Sequence, residues 1–308
     1  MVQDMNTKSM DNELHLDSIS AFKVSTKDQN GNFNEIREKI IRDIINNKIP
    51  DQYYRDCKRW LSLREQVHNC LNALIGPDWT EWHITATKKG GRKFHYDFDL
   101  IARKESVVIH KFLEFKFNAS CVSKTPQFVS PCKPSRYMMG NYETYYYIHY
   151  LPSVCELAGT TLPEKEEYLK TIGTTSPKCV TPLKQKYKSD KEFDKQVKAI
   201  VKKSIVDFLT RTELKSDELE KYLLEKQIDK TYVLYHNGTL YIETLSTDMY
   251  RVKRVIKQPE KNRFICEMKD GTWIGVLLRW KNGNGIAFPA LQISILRTQE
   301  APYEAPSH

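Results

Sequence analysis

Residues 92–118 read RKFHYDFDLIARKESVVIHKFLEFKFN. Phe94, Tyr96, Phe98 and Leu100 alternate with His95, Asp97 and Asp99, and alternation with period two marks a strand with one buried face. A short polar turn follows. Val107, Val108 and Ile109, then Phe112, Leu113, Phe115 and Phe117, make a second and more apolar strand. Glu114 and Lys116 interrupt it, and they share one face because strand side chains repeat every two residues. Charged groups are seldom buried without partners. A hairpin sets the ends of the two strands side by side, which brings Asp99 next to Glu114 with Asp97 on the face of Asp99. Converging carboxylates bind a hard divalent cation, and Mg2+ takes a few carboxylates together with waters and phosphate oxygens. A lysine beside them orients or deprotonates a water and stabilises charge developing on a phosphoryl group. The plain alternative is a hairpin edge whose charges face solvent.

An acidic residue on one strand followed across a hairpin by Glu-X-Lys resembles the signature of the PD-(D/E)xK nuclease superfamily. The matching residues are Asp97, Phe98 and Asp99, followed by Glu114, Phe115 and Lys116. Phe98 stands where the motif has its proline. The resemblance covers about 27 of the 308 residues. It implies an α/β (α+β) fold with a restriction-endonuclease-like core, a mixed central sheet flanked by helices, and a β-rich C-terminal part. It further implies a Mg2+-dependent endonuclease, with Mn2+ able to substitute, that hydrolyses DNA phosphodiester bonds. Asp99 and Glu114 are then the metal ligands, Asp97 assists them, and Lys116 positions the attacking water. The expected products carry 5′-phosphate and 3′-hydroxyl ends. A lone chain with no helicase motor is most like a type II restriction endonuclease. Such enzymes usually act as homodimers on short symmetric sites and are often accompanied by a methyltransferase. A structure-specific or repair nuclease, an RNA substrate, and a catalytically dead nucleic-acid-binding module remain as alternatives.

The totals suit that expectation. The net charge of +9 favours a polyanionic partner such as DNA. Seven cysteines without C-x-x-C spacing argue against a zinc ribbon or a disulfide framework and for an intracellular, reducing, cytoplasmic setting. There is no apolar leader and no long apolar run, so neither secretion nor a membrane span is expected. No P-loop, dinucleotide fingerprint or nucleophile elbow occurs.

Around the hairpin, the sequence divides into 1–51, a polar start with one helix; 52–152, the nuclease core; 153–230, a linker and helical segment; and 231–308, a β-rich part suited to reading DNA. In the first segment a short strand is expected at Ile19 to Val24, and a helix over 33–47 on Ile36, Ile40, Ile41, Ile44 and Ile45. A second helix spans 52–75 and stops at Gly76-Pro77. Glu65 lies off its apolar stripe, where the resembling superfamily often supplies one more acid, although a single helical glutamate is by default solvated. A first strand at Trp79 to Thr87 leads into a glycine turn carrying Lys88, Lys89, Arg92 and Lys93, placed to hold phosphates. Residues 119–136 read as a loop with Gln127 as a further polar candidate. Six tyrosines within 137–150 fit a packed helix better than a base-stacking platform. Helices over 190–210 and 216–227 follow a polar excursion at 160–190. Strand patterns then run from 231 to 298, with an Asn237-Gly238 hairpin turn. Near their end, Arg279, Lys281, Asn282 and Asn284 cluster at a turn with the side-chain types that read base edges.

Overall fold

The computed structural model describes residues 14–23, 27–89, 94–125, 133–172, 182–280 and 289–296. The chain forms a mixed α/β structure in two units, one holding the residues up to Ser120 with Lys230–Thr244, the other Cys121–Asp229 with the residues from Leu245 on.

The first unit is built on the hairpin. Strands β1 (His83–Lys88), β2 (Phe98–Lys104) and β3 (Val107–Phe117) form an antiparallel meander, in which Phe98 opposes Leu113 and Asp99 opposes Phe112. Strand β4 (Lys230–His236) pairs parallel to β3, with Glu114 beside Tyr232, and β5 (Thr239–Thr244) returns antiparallel to β4. Asn237 and Gly238 both take positive φ, as the tight Asn-Gly turn requires. The resulting sheet has the order β1-β2-β3-β4-β5.

Alternation gives this sheet a buried face carrying Ala86, Phe98, Leu100, Leu113, Phe115, Val233 and Leu240. Helices α1 (Lys27–Ile45), α2 (Asp51–Asp56) and α3 (Lys58–Ile75) accompany it. Ile40, Ile41 and Ile44 of α1 and Trp60, Leu63, Val67 and Leu71 of α3 join the same core. Each such side chain removed from water contributes roughly 1.5–3 kcal/mol before conformational entropy is counted.

Several local expectations change. The helix over 52–75 is two helices, because Cys57 is extended (φ −137°, ψ 110°) and breaks the hydrogen-bond ladder. The first strand starts at His83, after a short 3-10 turn at Trp79–Glu81. In place of a strand at Ile19 to Val24 the chain makes a 3-10 helix, Leu16–Phe22. The reason is Arg37. Its buried guanidinium lies 3.4 Å from the Phe117 ring centroid and donates to Ala21 O at 2.6 Å, holding the turn against α1. The 52–152 core also changes its bounds. The first unit takes in α1 from before those bounds and β4–β5 from after them, while residues 121–152 belong to the second unit.

The second unit contains α4 (Tyr142–His149), α5 (Leu151–Ala158), α6 (Lys165–Ile172), α7 (Pro182–Ser189), α8 (Lys191–Arg211) and α9 (Ser216–Gln227). With them goes an antiparallel sheet of β6 (Val252–Gln258), β7 (Arg263–Met268), β8 (Trp273–Trp280) and β9 (Pro289–Ile295). The excursion at 160–190 is thus helical over α6 and α7. Tyr142 and Tyr146 are wholly buried, and the Tyr142 hydroxyl meets Ser204 Oγ at 2.9 Å and accepts from the Trp280 indole at 3.0 Å. These two tyrosines therefore belong to the core. Among the described residues no helix is long and apolar enough to cross a membrane.

Candidate active site

The site lies where β2 begins against β3. Asp97 directly precedes β2, and its backbone amide donates to Leu113 O at 2.9 Å. Its Oδ2 accepts from the Phe115 amide, also at 2.9 Å. The two bonds bracket Glu114, so Asp97 is fixed beside it by the backbone of β3 itself. Asp99, two residues along, opposes Phe112, and its carboxylate contacts the His110 imidazole, with Lys89 Nζ 3.7 Å away. The expected Asp99–Glu114 neighbourhood is therefore an Asp97–Glu114 neighbourhood. The register sets this, and the alternation of β2 alone does not show it.

Glu114 is 8 % exposed, and both its oxygens are paired. Lys116 Nζ lies 2.5 Å from Oε1, and Lys230 Nζ lies 3.4 Å from Oε2. Burial pushes the Asp97 carboxyl up to about 7, with Glu114 and Glu38 adding negative charge and Lys116 partly offsetting it. Burial pulls the Lys230 ammonium below the usual lysine range, against the opposing pull of Glu114.

Glu38 and Lys230 are the members that the sequence reading missed. Glu38 comes from α1 and bonds Lys88 Nζ at 3.1 Å. A signal for it exists: positions 38, 41 and 45 share one helical row, so Glu38 extends the row of Ile41 and Ile45 by a turn. Lys230 carries no such signal, because 116 residues separate it from Glu114. Glu65 is exposed on α3, and Glu38, not Glu65, is the helical acid whose charge reaches Asp97. The described lysines of the basic turn, Lys88 and Lys89, are turned towards Glu38 and Asp99. Arg92 and Lys93 lie outside the described residues, as do Gln127, Lys281, Asn282 and Asn284. Arg279 belongs to the second unit, is exposed, and donates to Gln292 Oε1 at 2.6 Å.

Among the described residues no group of three or more His, Cys, Asp or Glu is arranged to hold a metal ion. The donors nearest to that role are the oxygens of Asp97 and Glu114. Two carboxylates fit Mg2+, which completes its shell with water and substrate oxygens more readily than with a full protein cage. The repulsion felt at Asp97 is the charge imbalance that such a cation relieves. No family model matches the chain, and neither a curated protein nor a solved structure matches it.

Proposed function

We propose that the protein is a Mg2+-dependent endonuclease that hydrolyses DNA phosphodiester bonds, cutting both strands at a specific sequence in the manner of a type II restriction endonuclease. One observation carries the reading. The Asp97 carboxyl is held by β3 beside Glu114 and near Glu38, although burial and the two charges oppose its ionisation, and Lys116 stands in the same cluster. Folding tends to disperse such repulsion, and perturbed acids gathered in this way are typical of functional sites.

In this mechanism Asp97 and Glu114 hold the cation, and Glu38 supports them from α1. Mn2+ serves in place of Mg2+. The bound ion supplies Lewis-acid polarisation of the phosphoryl oxygens. Lys116, the more exposed of the two lysines on Glu114, turns from Oε1 to the substrate, aligns the attacking water and neutralises charge on the reacting phosphate. The net charge of +9 draws in the backbone of the nucleic acid. A homodimer would match a two-fold DNA site. The free thiols of Cys57, Cys70, Cys121, Cys155 and Cys266 suit a reducing, intracellular compartment.

A second reading, a nucleic-acid-binding module with an inactive site, is favoured by the pairing of both Glu114 oxygens with lysines. Incubation with supercoiled plasmid in Mg2+ or in EDTA separates the two. Discrete Mg2+-dependent fragments, lost in Glu114→Ala and Lys116→Ala, are expected. Smearing or branch-dependent cutting would favour a repair or structure-specific nuclease. Plasmid, branched DNA and RNA all left intact, with binding equal in Mg2+ and EDTA, would leave the inactive module.

A further inference from the structure

Lys230 is a cation that the proposed chemistry does not use. It opens β4, its side chain is 2 % exposed, and its Nζ is 3.4 Å from Glu114 Oε2. Lys116 holds the other oxygen at 2.5 Å but is 23 % exposed and lies on the same strand as Glu114. The two lysines are therefore unequal. Lys116 can exchange Glu114 for water by rotating about its own side-chain bonds. Lys230 cannot leave without stranding an ammonium in the interior, which is far more costly than breaking a solvated pair. One oxygen of Glu114 has an exchangeable partner, and the other has a permanent one.

We propose that Lys230 is a positioning residue that competes with a divalent cation for Glu114: it reserves Oε2, leaves Oε1 to the ion, and so limits the site to one weakly held ion. The inference rests on the reading of Asp97 and Glu114 as metal-binding carboxylates. Its physical basis is direct. A fixed positive charge on one oxygen of a buried carboxylate repels a cation approaching the other, and little solvent intervenes to screen it. Removing that charge while keeping the side-chain volume should tighten binding. Damage to the fold would weaken it, so the sign separates a positioning role from a merely structural one.

The test uses Mn2+ as the probe on the full chain, counted by electron paramagnetic resonance and titrated by calorimetry. The wild type is expected to bind one Mn2+ per chain. Lys230→Met should bind Mn2+ about tenfold more tightly, as loss of a close like charge in a poorly screened site implies. Lys230→Arg, which keeps the charge, should stay near the wild type. A folded Lys230→Met with unchanged or weaker affinity would overturn the proposal, as would two ions on the wild type. If Lys230→Met does not fold, Lys230→Gln and the wild-type count decide the matter in the same way. A wild type that binds no Mn2+ would remove the metal-site reading and this proposal with it. One Mn2+ on the wild type with no tightening in the uncharged variants would remove the proposal alone.

Discussion

At Asp97 two demands conflict. Its carboxylate accepts the Phe115 amide, which favours ionisation, yet burial and the charges of Glu114 and Glu38 outweigh that bond and raise its pKa from 3.8 to about 7. An acid raised by folding is ionised more readily in the unfolded chain, so its ionisation favours unfolding. The cost begins as pH passes 3.8, grows up to about 7 and is constant above. Asp97→Asn keeps an acceptor for Phe115 and removes the charge. In EDTA it should raise stability at pH 8 by on the order of 2–4 kcal/mol and by far less at pH 4. Denaturant titrations at the two pH values check this, and an equal gain at both would refute the electrostatic account. Glu38 offers a second test at this scale. Glu38→Gln should lower Mg2+-dependent cleavage by about 10- to 100-fold, as loss of a supporting partner at a metal site does. Glu65→Gln should leave cleavage unchanged, since Glu65 is exposed and Glu38, not Glu65, is the helical acid whose charge raises Asp97.

The five-stranded sheet has two edges, and in the first unit an amide side chain guards each. Asn46, just after α1, donates to Ala86 O at 2.9 Å and accepts from Ala86 N at 2.7 Å, pairing with β1 as a neighbouring strand would. Gln66 of α3 donates to Gly238 O and accepts from Leu240 N, both at 2.6 Å, and so clasps the start of β5. Satisfied edge groups resist slippage and pairing with other chains. Asn46→Ala and Gln66→Ala should each cost about 1–3 kcal/mol, the penalty for leaving backbone groups unmet. The double variant should show nearly the sum, since the two clasps are on opposite edges and share no partner. Chemical denaturation of the three variants measures this. Were Gln66→Ala as stable as the wild type, the clasp would be a surface contact with no structural weight.

At the scale of the whole molecule, charge decides the behaviour to expect. A chain of net charge +9 that binds DNA through phosphates releases counterions as it binds. Binding of Glu114→Gln to duplex DNA, followed by fluorescence anisotropy in EDTA, should weaken at least about tenfold between 50 and 200 mM salt. Affinity indifferent to salt would argue against a nucleic-acid partner. Mg2+ should also raise the melting temperature of the wild type, because a ligand that binds only the folded state stabilises it. Asp97→Asn should show little of that rise.

Much of this protein is local and therefore legible in the sequence. The hairpin of β2 and β3 follows from alternation and aromatic content, although the pattern that begins at Phe94 becomes strand only from Phe98. The Asn-Gly turn follows from its need for positive φ, and α8 from the apolar stripe of Phe193, Val197, Val201, Ile205 and Phe208. The gathering of acids and Lys116 at the hairpin is visible for the same reason, since two paired strands bring their own residues together. Which acid meets Glu114 is not visible, because Asp97 and Asp99 share a face and a register shift of two residues, which would exchange them, leaves every side chain on its own face. Only the tertiary structure brings Glu38 and Lys230 to the cluster. One arrives by the packing of α1 on the sheet and the other by a parallel pairing that spans more than a hundred residues, and no local pattern encodes a contact that the chain must close over such a distance.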